Sequence, residues 1–467
     1  MHPTVQPLVG RNGRPRRPLR LAATFGFTAG LTMGLLGHWG GPTPVGAIEP
    51  EDQPQVSSRD ALVETHRESD HLLGDARGWR SRLVGQGIHF QAGYIGETMG
   101  NVSGGIQRGM VYNGLVEAAL DLEFGRRTDR WQDGCFRVSG IFPHGRSPSG
   151  KLVGDVQTVS NIDGHDSVSL YELWLEQDFW QKRVSLRLGQ LLADAEFAGT
   201  SYGGVLLNSS FGWPAFISGN TRNTGPAYYR AALGARLRVT VGDALDLQAG
   251  IYDGDSFDDP AGRPSRNQHG VNFELSEQQG AFVIGEAVWK LNQEEKSEGL
   301  PGSYKLGGWL HTARFADQLN PARNHRSNFG LYVAAEQMVW RESGADKSPS
   351  QGLGLFFRAG GSPADRNVFS FACDGGLHYH GLLPGREDDV LAVGLAYVQI
   401  SDDVRRGEKA AGATILSDHE LALEVSYQMQ LKPWWSVQPD LQWIHHPGGS
   451  RTLADAFVAG LRTRITF

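Results

Sequence analysis

The residues best placed to do chemistry lie in one predicted hairpin, Val168 to Leu191. Its rising strand carries Glu172, Trp174, Glu176 and Asp178 at alternate positions. Successive side chains of a strand point to opposite faces, so these four share one. The returning strand carries Arg183, Ser185 and Arg187 at the same period. With a turn near Phe179 to Lys182, Asp178 opposes Arg183, Glu176 opposes Ser185 and Trp174 opposes Arg187. Carboxylates, guanidinium groups and an indole on one surface suit sugar recognition. The charged groups hydrogen-bond hydroxyls, and an aromatic ring stacks on the C–H face of a pyranose. The alternative reading is a charged wall without substrate preference. Glu97, Arg108 and Glu117, near the preceding predicted hairpin, extend the candidate set.

Other chemistry is poorly represented. Gly-x-Ser-x-Gly, His-Glu-x-x-His and a phosphate-binding loop are all absent. His378 and His380 share one face of a possible strand but lack a third ligand, and His445-His446 before Pro447-Gly448-Gly449 reads as a turn. Asp253, Asp255, Asp258 and Asp259, like Asp388 and Asp389, lack the EF-hand spacing and read as solvated loops. No catalytic residue, metal ligand or cofactor is expected. Cys135 falls on a polar face and Cys373 on an apolar one, which favours two free thiols over a disulfide.

The elements that must carry the hairpin are strands. The chain ends in Phe457-Val-Ala-Gly-Leu-Arg-Thr-Arg-Ile-Thr-Phe467. Phe457, Leu461, Ile465 and Phe467 lie on one face, Arg462 and Arg464 on the other. The same alternation recurs at Ile88–Tyr94, Val116–Phe124, Arg183–Leu188, Leu245–Ile251, Glu420–Met429 and Val437–Gln442, with weaker matches between. Aromatic residues gather near strand ends, as at Phe179, Trp180, Trp340, Trp434 and Trp435. These features predict an all-β transmembrane antiparallel barrel of about 16 strands, the size that leaves an aqueous channel.

The amino-terminal residues fit export. Five arginines, Arg11 to Arg20, precede an uncharged run from Leu21 to Gly37 and a small-x-small site at Val45-Gly46-Ala47. That is the three-part pattern of a signal peptide over residues 1–47. The chain carries −7, and since the leader holds five arginines and no acid, the remainder carries −12. An acidic balance excludes nucleic acid as a partner. Beyond the leader no uncharged apolar run is long enough for a spanning helix. Residues 48–87 read as a partly helical periplasmic segment, lying against the barrel base, plugging it, or loosely linked, and residues 88–467 as the barrel. The stretch Ser201 to Pro214 is long for a barrel connection. Folded inward it would form a constriction, and folded outward a lid or an oligomer contact.

Several motifs, in order, resemble the carbohydrate-selective porin family of Gram-negative outer membranes (OprB-like). They are Gly100-Asn-Val-Ser-Gly-Gly105, Thr158-Val-Ser-Asn-Ile-Asp163, Leu170-Tyr-Glu-Leu-Trp-Leu-Glu176, Arg187-Leu-Gly-Gln-Leu191, Leu207-Asn-Ser-Ser-Phe-Gly-Trp-Pro214, Asp365-Arg-Asn367, Gly381-Leu-Leu-Pro-Gly-Arg386, Gln438-Pro-Asp-Leu-Gln442 and His446-Pro-Gly-Gly449. The resemblance implies a 16-stranded barrel with a narrowed channel and passive uptake of glucose-like monosaccharides. It also makes Glu172, Trp174, Glu176 and Arg187 stronger channel candidates. One departure stands out: Gly74-Asp75-Ala76-Arg77-Gly78 replaces the family's Gly-Asp-Trp-Gly-Gly run. The expected partners are small sugars and outer-membrane lipid, with a homo-oligomer open as trimer or monomer. The alternative functions are a general or differently selective porin, and an outer-membrane barrel enzyme. The enzyme would need a nucleophile, base and orienting group, and none is evident.

Overall fold

Alternation of apolar and polar residues is realised as sixteen strands in one closed antiparallel barrel. The computed structural model describes residues 70–467 except 127–130, 260, 294–296, 298, 344–347 and 349. The predicted signal peptide, and residues 48–69 of the predicted periplasmic segment, lie outside the described residues. In chain order the strands are β1 (Ile88–Ser103), β2 (Gly109–Glu123), β3 (Gly134–Gly145), β4 (Ser169–Phe179), β5 (Val184–Leu191), β6 (Ala232–Val241), β7 (Leu245–Asp253), β8 (Ala281–Leu291) and β9 (Gly302–His311). A two-residue ladder, β10 (Phe315–Ala316) with β11 (Asn324–His325), decorates the next connection. The barrel resumes with β12 (Asn328–Arg341), β13 (Gly352–Gly361), β14 (Phe369–His380), β15 (Val390–Ile400), β16 (His419–Lys432), β17 (Trp435–His445) and β18 (Ala456–Thr466).

Closure joins the last strand to the first. Glu97 of β1 sits opposite Arg462 of β18, and the Phe467 N–H donates to the Ala92 carbonyl at 2.9 Å. Closure removes the two unpaired edges that an open sheet would expose. Residues 70–87 run along this seam. The Leu72 N–H donates to the Thr466 carbonyl, and Arg80, in the short helix α1 (Trp79–Gly85), donates to the carbonyls of Phe90 and Phe467.

The distribution of side chains is the reverse of a soluble protein's. Met110, Leu306, Leu331 and Leu441 are 62–74% exposed on the outer face, while Arg236, Arg358, Glu420 and Glu424 are at most 1% exposed inside. An apolar exterior around a charged interior is what a lipid surround selects. The two ends differ as well. One carries tight turns, residues 180–183, 242–244 and 433–434, with Trp180, Trp340 and Trp434-Trp435 near it. The other carries the long connections 146–168, 192–231 and 254–280. Short turns face the periplasm and long loops the exterior in bacterial barrels of this kind. Among the described residues no helix is long and apolar enough to cross a membrane.

The two cysteines form no disulfide: Cys135 is buried inside and Cys373 half-buried outside. The aspartates of the β7–β8 connection are not solvated as the sequence suggested. Asp255, Asp258 and Asp259 are buried, with Asp255 accepting from Asn223 at 2.6 Å and Asp258 from Gln279 at 2.7 Å. Donors from the loop itself, the Phe257 N–H and Gln279, and Asn223 of the β5–β6 connection hold one oxygen of each of Asp255 and Asp258.

Candidate functional site

The β5–β6 connection, residues 192–231, touches β6, β8, β9, β12, β13, β16 and β17. A segment can reach all of these only from within the barrel. Of the two paths open to Ser201–Pro214, the chain takes the inward one. Wall carboxylates hold its amides. Glu286 accepts the Ala198 N–H at 2.9 Å, Glu336 the Ser201 N–H at 2.6 Å, and Glu424 those of Leu207 and Asn208 at 2.5 and 2.9 Å. Wall donors hold its carbonyls. Arg358 donates to Ala198, Gly212 and Ser210 at 2.9, 2.7 and 2.5 Å, Lys305 to Gly199 at 2.8 Å, and Gln438 to Val205 at 2.7 Å. A buried loop must satisfy its backbone groups somewhere, and here charged side chains do it.

The loop's apolar side chains seat against the same wall. Phe216 stacks on Tyr332 at 5.7 Å between ring centroids, and Phe211 meets Phe356 edge-on at 6.0 Å. Gly394 makes room: a Cβ there would lie 2.4 Å from Leu206 and 2.5 Å from Phe211. The β3–β4 connection, residues 146–168, enters beside it. Glu420 accepts from Val156 and Gln157 at 2.9 and 2.7 Å, and Gln442 donates to the Val159 carbonyl at 2.8 Å.

The 168–191 hairpin supplies the wall where the larger loop begins. Its register is two residues off the expected one. Asp178 pairs with Ser185, Glu176 with Arg187 and Trp174 with Gly189. The turn takes four residues, three of them (Trp180, Gln181 and Lys182) at positive φ, which leaves Arg183 outside the ladder. Glu176 therefore binds Arg187 directly at 2.7 Å and also Arg236 of β6 at 2.9 Å. Glu196, in the loop, binds the same two arginines at 2.5 and 3.1 Å. Two acids and two bases thus close a neutral ring across β4, β5, β6 and the loop. Beside it Arg137 bridges Asp121 and Glu172 at 3.0 and 3.1 Å. Trp174 donates to Glu172 at 2.9 Å, and the Arg187 guanidinium lies 4.0 Å over its ring.

The predicted site residues therefore separate. Glu172, Trp174, Glu176 and Arg187 come together facing inward, each at most 3% exposed. Glu97 is also buried inside, paired with Arg462 at 2.7 Å and hydrogen-bonded by Ser160 of the smaller loop. Glu117 points inward and is half-buried. Arg108 and Arg183 do not join them. Both are exposed, Arg108 in the β1–β2 loop and Arg183 in the β4–β5 turn, at opposite ends of the barrel. His378 is buried against the loop's Tyr202, the rings 5.1 Å apart, rather than poised for a metal. Sequence reasoning passed over Arg236, Arg358, Glu286 and Glu336. Their only local signal is a charge at the inward parity of a strand.

Asp163, Asp194, Glu196, Tyr228 and Tyr229 lie half-buried on the two inward loops, with the Asp194 Oδ1 itself covered. Asp194 accepts the Tyr228 N–H at 2.8 Å, and the Tyr228 hydroxyl donates to the Ile162 carbonyl at 2.8 Å, so the loops brace each other. Burial pushes the Asp163 carboxyl up to about 6 and the Asp194 carboxyl up to about 7.

A closed barrel with an apolar exterior, a charged interior and loops folded in to narrow it is an outer-membrane porin of a Gram-negative bacterium. The model of the carbohydrate-selective porin, OprB family, matches residues 107–467, and the chain belongs to that family. It is a carbohydrate-selective channel. It is 26% identical over 439 residues to Porin B of Pseudomonas aeruginosa, covering 85% of this chain and 92% of that one. It is 24% identical over 431 residues to the putative porin QuiX of Acinetobacter baylyi, covering 85% and 93%. The high-pH structure of Pseudomonas putida OprB superimposes with a TM-score of 0.75 at 25% identity, over 86% of this chain and 99% of that one.

Proposed function

We propose that the channel passes glucose-like monosaccharides along the two inward loops. The observation that carries this reading is a group of half-buried carboxylates beside tyrosines, Asp163, Asp194, Tyr228 and Tyr229, where the two inward loops brace each other inside a polar lumen. Carboxylates accept from sugar hydroxyls, and a half-exposed tyrosine offers both a ring face and a hydroxyl. Glu117 and Arg464 line the wall nearby. Glu172, Trp174, Glu176 and Arg187 act in this reading by fixing this group, since the Trp174 ring face is covered by Arg187. Each chain closes its own barrel and so carries its own passage. The family makes the chain a channel, and no catalytic step is proposed for it.

The test is single-channel recording in planar bilayers. Current through the purified protein should fall with added glucose, and Tyr229→Ala or Asp163→Asn should weaken that block several-fold. Equal block by a non-sugar solute of similar size, or block unchanged in both variants, would defeat the reading.

A second outcome follows from the raised carboxyls. As pH falls from about 8 to about 5, Asp194 and then Asp163 take up protons, and preference for cations over anions should decline. The folded values lie above those of an unfolded chain. Their linkage therefore makes the channel more stable as pH falls through about 7 and about 6. Reversal potentials in a salt gradient measure the selectivity. A cation preference that stays flat across this range in wild type, or declines identically in an Asp163→Asn, Asp194→Asn double variant, contradicts the assignment.

A further inference from the structure

Three imidazoles meet on the outer face of the barrel, at the end that bears the long loops. His445 closes β17 and pairs with Leu421 of β16. His419, two residues along β16, is its diagonal neighbour on the same face, within reach of a long side chain. His446 follows at the start of the β17–β18 connection. One ring nitrogen from each of the three lies within 4.8 Å of the others. The rings crowd together, with centroids 3.8 Å apart for His445 and His446 and 5.2 Å for His419 and His446.

Their surroundings are arranged as well. The His445 Nδ1 lies 2.9 Å from Asp455, and the His419 Nδ1 lies 3.2 Å from Asp418. A carboxylate on Nδ1 fixes the tautomer that leaves Nε2 with a free lone pair, the arrangement found behind metal-bound histidines. Asp455 also accepts the His446 N–H at 3.3 Å, so one carboxylate orients two of the three residues. The His446 Nδ1 is buried without a hydrogen-bond partner. His446 is held at φ 52°, a left-handed conformation that is strained for a non-glycine residue.

We propose that His419, His445 and His446 bind one divalent transition-metal ion of the imidazole-preferring kind, zinc above all, with Asp455 and Asp418 as orienting groups. Three nitrogen ligands leave a fourth position for water. Zinc–nitrogen bonds of about 2.0–2.1 Å require the donor atoms to draw closer, which rotation of the half-buried rings supplies. The ion would act as a clamp. The same turn donates the Gly448 N–H to Glu420 at 2.6 Å, and Glu420 holds the inward loop at Gln157. Binding on the outer rim would thus reinforce an anchor of the constriction.

The experiment is equilibrium dialysis of the purified, EDTA-treated full barrel against zinc, with thermal unfolding measured in parallel. Wild type should retain one zinc per chain and unfold at a higher temperature with zinc than without. His445→Ala and His446→Ala should lose both effects. Asp455→Asn should keep the stoichiometry but bind about 10–100-fold more weakly. His269→Ala, in the β7–β8 connection, should behave as wild type. If His445→Ala fails to form an SDS-resistant barrel, His446→Ala, in the connection outside the ladder, decides. Absence of zinc from wild type, or equal retention by His446→Ala, overturns the proposal.

Discussion

Replacing Arg358 with methionine should widen the channel and weaken sugar block. Arg358 is fully buried and holds the larger inward loop at three places, the carbonyls of Ala198, Ser210 and Gly212, while its Nε is paired with Asp374 at 3.0 Å. Methionine fills similar volume but donates nothing. Three carbonyls lose a charged donor, and Asp374 is left as an uncompensated buried charge. One-sided removal of a buried ion partner costs about 3–5 kcal/mol. That is a factor of roughly a hundred or more in the population of undocked loop. Single-channel records should show higher mean conductance with flickering between levels, and glucose block should fall. Arg358→Lys should lie between, because an ammonium group cannot span three carbonyls and a carboxylate together. Wild-type conductance and block in Arg358→Met would mean that the remaining anchors suffice.

The second large effect concerns the ring of Glu176, Arg187, Arg236 and Glu196. Glu176→Leu leaves two buried arginines sharing Glu196 alone, and should destabilise the barrel by about 3–5 kcal/mol. Removing Arg236 as well, in Glu176→Leu, Arg236→Leu, restores neutrality with Arg187 still paired to Glu196. Replacing a whole buried pair by apolar side chains is often close to neutral, so the double variant should recover most of the loss, to within about 1–2 kcal/mol of wild type. Urea unfolding of the barrel in lipid vesicles, followed by tryptophan fluorescence, makes the comparison. A double variant as unstable as the single would show that hydrogen bonding within the ring, rather than its charge balance, supports the wall.

The strands most legible in the sequence are those whose inner face meets water or ions. In β2, Asn113, Glu117, Asp121 and Glu123 alternate with Val116, Leu120 and Leu122, and the period is plain. In β13 and β15 it is blurred. Val390, Ala392, Ala396 and Val398 face inward, yet they pack against the larger loop rather than solvent. Both faces of such a strand are apolar, and the segment reads as continuous grease. The faint alternation was itself a sign that something lay inside the barrel there. The carboxylate–arginine–indole grouping at 168–191 was readable because it is local. Its register was not, because four turn residues, three in the left-handed region, shift the pairing by two. Arg358 and Glu286 were hidden for another reason: what they hold on the loop is backbone of a segment far along the chain, which no local pattern encodes. The histidines of the outer rim are similarly split between two strands.

The contacts that set the path of the larger loop fall mostly on its amide and carbonyl groups. Glu286, Glu336, Glu424, Arg358, Lys305 and Gln438 grip the main chain at Ala198, Gly199, Ser201, Val205, Leu207, Asn208, Ser210 and Gly212. Any residue but proline offers the same two groups. The side chains that border the passage can therefore be exchanged while the scaffold keeps its course. Such a channel is evolvable: mutation can retune what it admits one position at a time, and each intermediate still folds.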